Sequence, residues 1–392
     1  MKTRGLFAIL LLLLAIVAAR FWLGLRSETK LVHASPELPR EVLAAQWQAF
    51  MNGGELQGRA EAEFPLRKMR LRWEKKLDAD VAGAPIVARH TVYVSAKNCL
   101  YALDLRTGAL KWFFSTEGHA SAAPLFAGGS IFFGDQDGFF YSVAEEGGRE
   151  EWEFEAKGEI HSPANFAVTP AGTLLLFGAF DHNFYCLAAE DGRLVWSFPT
   201  DSWTYASPAV AGSLAFCGGC DSKLRALDLQ TGREKWNVSL NGNLDMAASP
   251  VCSAGRVYVA SFEGKVACIK ISDGTEVWRR EIKDESFNGS PALAAGKLIL
   301  AGQKTAVYAL DPATSETLWT FPSRDGFDAS PAVSGGGVYL PGNDGKLHVL
   351  DIQNGREAWS FMVGASLPFA PALAEGCVVF CDSDNTVYCL EY

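Results

Sequence analysis

The sequence has no excess of positive charge and none of the short motifs that mark several large enzyme classes. Its 392 residues include 35 lysines and arginines against 45 aspartates and glutamates, a formal net charge of −10. The basic footprint of a nucleic-acid-binding protein is therefore missing. It contains no G-x-S-x-G, no H-E-x-x-H and no phosphate-binding loop. Its histidines do not show the spacing of metal ligands; they are His33, His90, His119, His161, His182 and His348.

The N-terminus does have a long apolar run. Lys2 and Arg4 precede the run Leu6–Ala19, a pattern typical of a signal peptide. The apolar residues FWLGL continue past Arg20, so residues 1–26 are either a signal peptide or an N-terminal membrane anchor. Both alternatives predict a periplasmic or otherwise extracytoplasmic protein, anchored through its N-terminus or secreted after cleavage. No cysteine follows the run, so lipid attachment is not expected there.

Residues 27–68 are interpreted as a linker. The stretch REVLAAQWQAFM within it could form a short amphipathic helix, and NGGELQGRAEAE has the composition of a flexible spacer.

From residue 69 onward, one pattern recurs roughly every 40 residues. Copies include YALDLRTGALKW (101–112), RALDLQTGREKW (225–236) and HVLDIQNGREAW (348–359). The glycine in each copy suits a tight turn, and the aspartate before it can accept backbone N–H bonds. We expect the tryptophan of each copy to dock between neighbouring units; the series is Trp73, Trp112, Trp152, Trp196, Trp236, Trp278, Trp319 and Trp359.

Each unit also contains a small residue followed by proline and four short apolar runs separated by glycine turns. Four antiparallel strands per roughly 40 residues is the pattern of a propeller blade. The last unit stops at Tyr392 before any tryptophan, and RLRWEKKL, around Trp73, can supply its missing strand. The sequence therefore predicts an all-β fold: an eight-bladed β-propeller over residues 69–392, closed by pairing of its N- and C-terminal strands.

The D-x-x-T-G-x-x-x-W repeat with its preceding proline strand resembles the tryptophan-docking repeat of the PQQ-like propeller superfamily. This superfamily, that of the quinoprotein alcohol dehydrogenases, includes both quinone-dependent enzymes and non-catalytic scaffolds, so fold alone does not decide function. Among the scaffolds, the chain is similar to BamB-type propellers of the outer-membrane assembly machinery. It departs from them in lacking a lipid-bearing cysteine after the signal.

The resemblance to the enzymes implies a site that this chain lacks in part. Quinoprotein dehydrogenases hold the quinone PQQ between a tryptophan and a disulfide of two adjacent cysteines, beside a calcium ion. No two cysteines are adjacent here. We therefore expect no cofactor and no metal, with PQQ and calcium as the alternative. The acidic segments DQDG (135–138) and DSDN (382–385) fall at blade turns and are interpreted as turn chemistry.

Polar and aromatic residues just before the prolines could line a central channel and bind a small polar ligand. These candidates are His119, His161, Trp203, Tyr205, Asp245, Asn288 and Asp328. An ordinary hydrated channel, whose walls are partly polar, is the competing interpretation.

The C-x-x-C in FCGGC, formed by Cys217 and Cys220, has several interpretations: a redox pair, half of a zinc site, a disulfide, or two cysteines near a turn. In the repeat register Cys217 ends an apolar strand and Cys220 matches Asn343 in a glycine-rich turn. We interpret the pair as a turn, with a Cys217–Cys220 disulfide as a candidate in an oxidising compartment. The nine cysteines are an odd number, so at least one lacks an intramolecular partner.

No catalytic constellation remains. The sequence predicts a monomeric, non-catalytic scaffold for protein partners at a membrane, contacting the membrane through its N-terminal segment. A role in envelope protein assembly fits this scaffold. The alternatives are a PQQ- or small-ligand-binding oxidoreductase and a ligand-sensing propeller.

Overall fold

A ring of eight β-sheet blades is built around a central channel in the computed structural model, which describes residues 30–31, 46–60, 64, 66–240 and 248–392. Two strands and one turn of 3₁₀ helix precede the first complete blade: β1 (Lys30–Leu31), the 3₁₀ turn Phe50–Asn52, and β2 (Arg70–Lys76). The predicted signal or anchor over residues 1–26 lies outside the described residues. Within the described part of the chain, no helix is long and apolar enough to cross a membrane.

Each of blades 1 to 7 is a continuous stretch of chain with four antiparallel strands. The strands of blades 1 to 4 are β3 (Ile86–Ala88), β4 (Thr91–Ala96), β5 (Cys99–Asp104), β6 (Leu110–Ser115), β7 (Leu125–Ala127), β8 (Ser130–Gly134), β9 (Phe139–Ala144), β10 (Glu150–Glu155), β11 (Asn165–Thr169), β12 (Gly172–Gly178), β13 (Asn183–Ala188), β14 (Leu194–Pro199), β15 (Ala209–Ala211), β16 (Leu214–Gly218), β17 (Lys223–Asp228) and β18 (Glu234–Ser239). Blades 5 to 7 contain β19 (Val251–Ser253), β20 (Arg256–Ala260), β21 (Lys265–Lys270), β22 (Glu276–Glu281), β23 (Ala292–Ala294), β24 (Lys297–Ala301), β25 (Ala306–Leu310), β26 (Thr317–Pro322), β27 (Ala332–Ser334), β28 (Gly337–Pro341), β29 (Lys346–Asp351) and β30 (Glu357–Met362).

Blade 8 is assembled from both ends of the propeller sequence. Its inner three strands are β31 (Ala372–Ala374), β32 (Cys377–Cys381) and β33 (Thr386–Glu391), and its fourth strand is β2. Strand β2 runs antiparallel to β33 with Trp73 opposite Cys389, and β1 pairs outside β2. The first strands of neighbouring blades contact one another around the axis. The predicted eight-bladed propeller and its ring closure are confirmed.

Each of blades 1 to 7 presents its tryptophan through a tight turn followed by a β-bulge. In blade 1, the Asp104 Oδ1 accepts a hydrogen bond from the Thr107 N–H at 2.8 Å, and Gly108 takes a φ of +69°. The register then shifts by one residue, so that Ala102 lies opposite Trp112. A bulge of this kind re-aims the side chain that follows it. The D-x-x-T-G-x-x-x-W pattern therefore records one local geometry repeated around the ring.

The tryptophan rings join each blade to the next. In seven cases the indole Nε1–H donates to the carbonyl that follows the third strand of the next blade, at 2.8–3.1 Å; the donor–acceptor pairs are Trp73–Leu105, Trp112–Glu145, Trp152–Ala189, Trp196–Leu229, Trp236–Ile271, Trp278–Pro312 and Trp319–Ile352. The ring also covers a turn glycine. A Cβ on Gly148 would lie 2.5 Å from the Trp112 ring, which explains the glycine at that position.

Residues 46–60, in the second half of the linker predicted over residues 27–68, lie inside the channel, where Trp47, Met51 and Leu56 are buried. Residues 46–51 are the described part of REVLAAQWQAFM; Trp47 forms a β-bridge with Val87, and the 3₁₀ turn begins at Phe50. The rest of the stretch lies outside the described residues, and the short helix stays a prediction. Gly53, at a φ of +66°, turns the chain directly after the 3₁₀ turn. We call residues 46–60 the strap.

Candidate functional site

Serine side chains tie the blades together next to the channel. The Ser207 N–H donates to the Ser249 Oγ, the Ser249 N–H to the Ser290 Oγ, and the Ser290 N–H to the Ser330 Oγ, each at 2.8 Å. Each serine directly precedes the proline that begins an inner strand. The small-residue–proline pairs of the sequence therefore mark the points where neighbouring blades meet at the axis.

The strap runs around the inside of the channel and contacts blades 1 to 7 in the order in which they occur in the sequence. Trp47 pairs with Val87 of blade 1 through both backbone groups, at 2.8 and 2.9 Å. Blades 2, 4, 5, 6 and 7 each donate one backbone N–H to a strap carbonyl at 2.7–2.9 Å; the donor–acceptor pairs are Phe126–Gln48, Val210–Gly54, Cys252–Glu55, Leu293–Gln57 and Val333–Gly58. The donors lie at the second residue of β7, β15, β19, β23 and β27.

Blade 3 contacts the strap through a side chain. The buried Asn165 amide donates to the Gly54 carbonyl at 2.8 Å, and its oxygen accepts the Gly54 N–H at 2.9 Å. A second bond from the same amide, to the Pro208 carbonyl at 2.8 Å, links blade 3 to blade 4. Strap residues between Met51 and Ala60 line a cavity of about 470 Å³ at this end of the channel, which we call the strap end.

At the opposite, open end, a cavity of about 220 Å³ reaches down to Phe50 of the strap. Three of the predicted channel residues, Tyr205, Asn288 and Asp328, line this cavity, together with Ser121. His119, His161 and Trp203 lie outside its lining, and Asp245 lies outside the described residues. Ligand binding in this cavity stays a prediction.

Asp328 is already engaged by neighbouring blades. Its Oδ1 accepts a hydrogen bond from the Gln303 amide at 2.6 Å, and its Oδ2 accepts one from the Asn343 amide at 3.0 Å. Both oxygens therefore serve contacts between blades on the rim of the cavity.

An aromatic patch lies on the rim of the open end, formed by His161, Phe180, Trp203 and Tyr205. The Phe180 ring stacks on Trp203 at 5.4 Å between centroids and meets Tyr205 edge-on at 4.6 Å. His161 packs against Phe180 at 4.5 Å. Its Nε2 lies 2.7 Å from the Glu159 carboxylate and its Nδ1 3.1 Å from the Ser121 hydroxyl. Trp203 is 48% and Tyr205 37% exposed.

Phe180 is the member of the patch that the sequence analysis missed. It begins the turn between β12 and β13, where Cys220 and Asn343 stand in other blades. Trp203 was a candidate because it lies outside the docking series. An aromatic residue at the turn between β12 and β13 was the sequence signal that could have identified Phe180. Large aromatic groups left in water are costly unless a partner covers them, so the patch has the character of a contact surface.

The C-x-x-C cysteines occupy the places that the repeat register predicts. Cys217 lies on β16 and is buried, and burial raises the pKa of its thiol to about 12. Cys220 is half-buried in the turn that follows. No disulfide joins the two cysteines in this structure. The Cys217–Cys220 disulfide stays a prediction, to be tested by mass spectrometry under non-reducing conditions.

The acidic turn segments act on their own backbone. The Asp135 Oδ1 accepts N–H bonds from Asp137 and Phe139 at 3.0 and 2.9 Å. The Asp382 Oδ1 does the same for Asp384 and Thr386 at 3.0 and 2.8 Å. These carboxylates therefore stabilise blade turns.

The ring of eight blades, its tryptophan docking and its proline strands define a propeller of the PQQ-like class. A family model described as outer membrane protein assembly factor BamB matches residues 68–155, 136–249 and 303–391. The chain belongs to this family.

Individual relatives agree with this assignment. The outer membrane protein assembly factor BamB of Xanthomonas campestris is 30% identical over 261 residues, 61% of this chain and 64% of that protein. The matched region spans less than two thirds of the length of the curated relatives. Crystal structures of BamB from Moraxella catarrhalis (TM-score 0.69, 18% identity, 83% of this chain and 98% of that one) and of a quinohemoprotein alcohol dehydrogenase from Comamonas testosteroni (0.73, 14%, 88% and 80%) share the fold.

Proposed function

We propose that this chain is a non-catalytic protein-interaction scaffold in outer-membrane protein assembly, acting on the periplasmic side of a membrane. The observation that carries the proposal is the exposed aromatic patch, held by ring contacts on the rim of the propeller. Membership of the BamB family supports the assembly role, because its named members are outer membrane protein assembly factors.

The patch has the composition of a binding hot spot. Tryptophan and tyrosine dominate the energetics of protein interfaces because they bury a large area at little cost in side-chain entropy. Phe180 holds both rings by stacking and by an edge contact, so the patch is organised before any partner arrives. A preorganised surface loses little entropy on binding.

The cysteine pattern argues against the oxidoreductase alternative. The sequence lacks the adjacent cysteines that the quinoprotein resemblance implies. Cavity size does not decide the question, because a cavity of about 220 Å³ lies at the open end and one of about 470 Å³ lies among the strap residues.

Photo-crosslinking tests the scaffold directly. A photoreactive amino acid replaces Trp203 in the full chain, which is expressed in the organism that encodes it. We expect a covalent adduct with an outer-membrane assembly protein, identified by mass spectrometry. The matched control places the same amino acid at Met362, which is 58% exposed on the outer strand β30. Equal adducts from both positions would contradict the proposal.

The double variant Trp203→Ala, Tyr205→Ala measures the energetics with the partner so identified. Loss of a hot spot of at least 2 kcal/mol weakens binding by about thirtyfold or more. Unchanged affinity would mean that the partner binds elsewhere.

A small polar ligand in the open-end cavity is the second candidate, favoured by the convergence of Asn288, Tyr205 and Ser121 on one space. A thermal-shift screen of small polar compounds tests it. Addition of PQQ and calcium with alcohols or sugars and a reducible dye tests the oxidoreductase alternative. Turnover of the dye would overturn the scaffold proposal.

A further inference from the structure

The inner strand of every blade is the edge of a sheet. Such an edge carries backbone N–H groups that need acceptors, and native proteins cover or pair them. In this ring the edge N–H groups of blades 1, 2, 4, 5, 6 and 7 all point at the strap, which runs around the axis past them. The strap supplies their acceptors, one carbonyl after another, at 2.7–2.9 Å.

The strap also fits this path through its side chains. Trp47, Ala49, Met51 and Leu56 are all 2% exposed or less. Gly58 marks the tightest point: a Cβ there would lie 2.4 Å from the Met51 methyl group and 3.1 Å from both the Ala292 Cβ and the Pro331 carbonyl. Its φ of +61° is a second reason for glycine.

We propose that the inner edges of the blades form a peptide-binding ring, and that residues 46–60 are its resident ligand. The ligand class is a polypeptide segment that turns around the axis with its carbonyls directed at the blades, buried apolar side chains such as that of Trp47, and glycine where it passes blades 6 and 7. As in strand addition, sheet-edge N–H groups give affinity and pockets for side chains give specificity. Here the segment crosses the edges of successive sheets and does not run along one of them. Blade 3 contributes to this ring through the buried side chain of Asn165, which hydrogen-bonds to both the N–H and the carbonyl of Gly54.

This inference does not depend on the proposed docking function, because it concerns the strap end of the channel and not the aromatic patch. It assigns the strap end a peptide as its ligand. It also makes residues 46–60 separable in principle from the blades that hold them.

The test cuts the strap free after the full chain has folded. One protease site is inserted before Gln46 and another between Ala60 and Phe64. After cleavage, we expect the 46–60 peptide to co-elute with the propeller in gel filtration. A fluorescent synthetic 46–60 peptide in excess should then replace it slowly and saturably, as followed by anisotropy.

Two outcomes would overturn the proposal. Loss of the cut peptide from an intact propeller, with no uptake of the synthetic one, would show that the ring has no affinity of its own. Unfolding of the propeller on cleavage would show that the strap is an inseparable part of the core.

Two variant peptides test the geometry of the ring. Both Gly54 and Gly58 have positive φ, but a Cβ on Gly54 meets nothing within 4 Å. Because a Cβ at Gly58 meets Ala292 and the Pro331 carbonyl, we expect the Gly58→Ala peptide to bind about tenfold more weakly than the matched Gly54→Ala peptide. Equal losses from both peptides would contradict the register of the strap.

Discussion

Seven blades are continuous in sequence and the eighth is not, and the contrast shows which contacts a propeller needs at its seam. In a continuous blade the third and fourth strands are joined by a turn, and that turn receives the tryptophan of the preceding blade. In blade 8 the third strand β33 pairs with β2 without any connecting turn. Tyr392 stands where Ile352 stands in blade 7, directly after the third strand. Trp359 therefore lacks its acceptor: among the described residues, its buried Nε1 has no hydrogen-bond partner.

In blade 8 a buried ion pair connects β2 and β33, the two strands that no turn joins. The Arg72 Nε lies 3.0 Å from the Glu391 Oε2, and both side chains are at most 5% exposed. Arg70 approaches the same carboxylate from the surface at 3.2 Å. Trp73, on the same strand, is fully buried and keeps its bond to Leu105. The seam thus combines ordinary tryptophan docking on one side with an ion pair across the two terminal strands.

The largest expected effect on the stability of the seam comes from removing its buried carboxylate. We expect Glu391→Ala to lower the free energy of unfolding by about 3–5 kcal/mol, because the buried Arg72 loses its ion pair with Glu391. Urea denaturation measures it. Glu276→Ala is the control, since Glu276 pairs with Arg279 on the exposed face of blade 5. Exposed pairs contribute about 0–1 kcal/mol, so equal losses would mean that the seam is no stronger than a surface contact.

A smaller effect compares two tryptophans of neighbouring blades, of which one has a hydrogen-bond acceptor and the other has none among the described residues. Trp319 and Trp359 are both 8% exposed, but only Trp319 donates, to the Ile352 carbonyl at 2.9 Å. We expect Trp319→Phe to destabilise the protein by about 1 kcal/mol more than Trp359→Phe. Thermal and urea unfolding of the two variants side by side measure the difference. If Trp359→Phe costs as much, the orphan donor is satisfied in solution.

The smallest expected effect is on the pH dependence of stability, to which Glu375 and Glu285 contribute with opposite signs. Burial raises the pKa of Glu375, which lies in the β31–β32 turn of blade 8 and accepts the His90 N–H at 3.1 Å. Burial also opposes ionisation of Glu285 near blade 6. There the Thr305 hydroxyl and the N–H groups of Lys304, Ser286 and Thr305 outweigh it and lower the pKa.

The signs follow from linkage. The contribution of Glu375 to stability is present below the ordinary carboxyl pKa of 4.5 and is lost as pH rises through its raised folded value. That of Glu285 is present above 4.5 and is lost as pH falls through its lowered folded value. Relative to the parent protein, Glu375→Gln should therefore gain stability as pH rises and Glu285→Gln should lose it. Unfolding free energies from pH 3 to about 7 test this, and parallel slopes would contradict it.

The fold was predictable from sequence because each blade repeats the same local solution. The turn glycine, the turn aspartate and the docking tryptophan all recur at fixed spacing, and Trp73 revealed the seam by falling in register. Blade 6 shows how a second recurring turn can change residue. Its turn between β24 and β25 has no aspartate where blades 2 and 8 have Asp135 and Asp382, and Glu285 reaches in from the preceding loop to accept the same kind of backbone N–H bonds.

The strap was not predictable because it follows no period. Its contacts are set by the circumference of the channel and not by a helix or a strand of its own. Gly53, Gly54 and Gly58 suggested flexibility, whereas their positive φ values serve a fixed path. Tyr205, Asn288 and Asp328 could be placed near the channel because they precede the prolines, but the depth of the cavity depends on Phe50, a strap residue.

The order of the strap contacts has a consequence for how the ring is made. Residues 46–60 precede every complete blade in the chain, and they meet blade 1 first and blade 7 last. An acceptor for each of these blades is thus present in the chain before the blade itself is synthesised. Blades held to one short segment leave shorter loops to be closed, and a shorter loop costs less entropy to close.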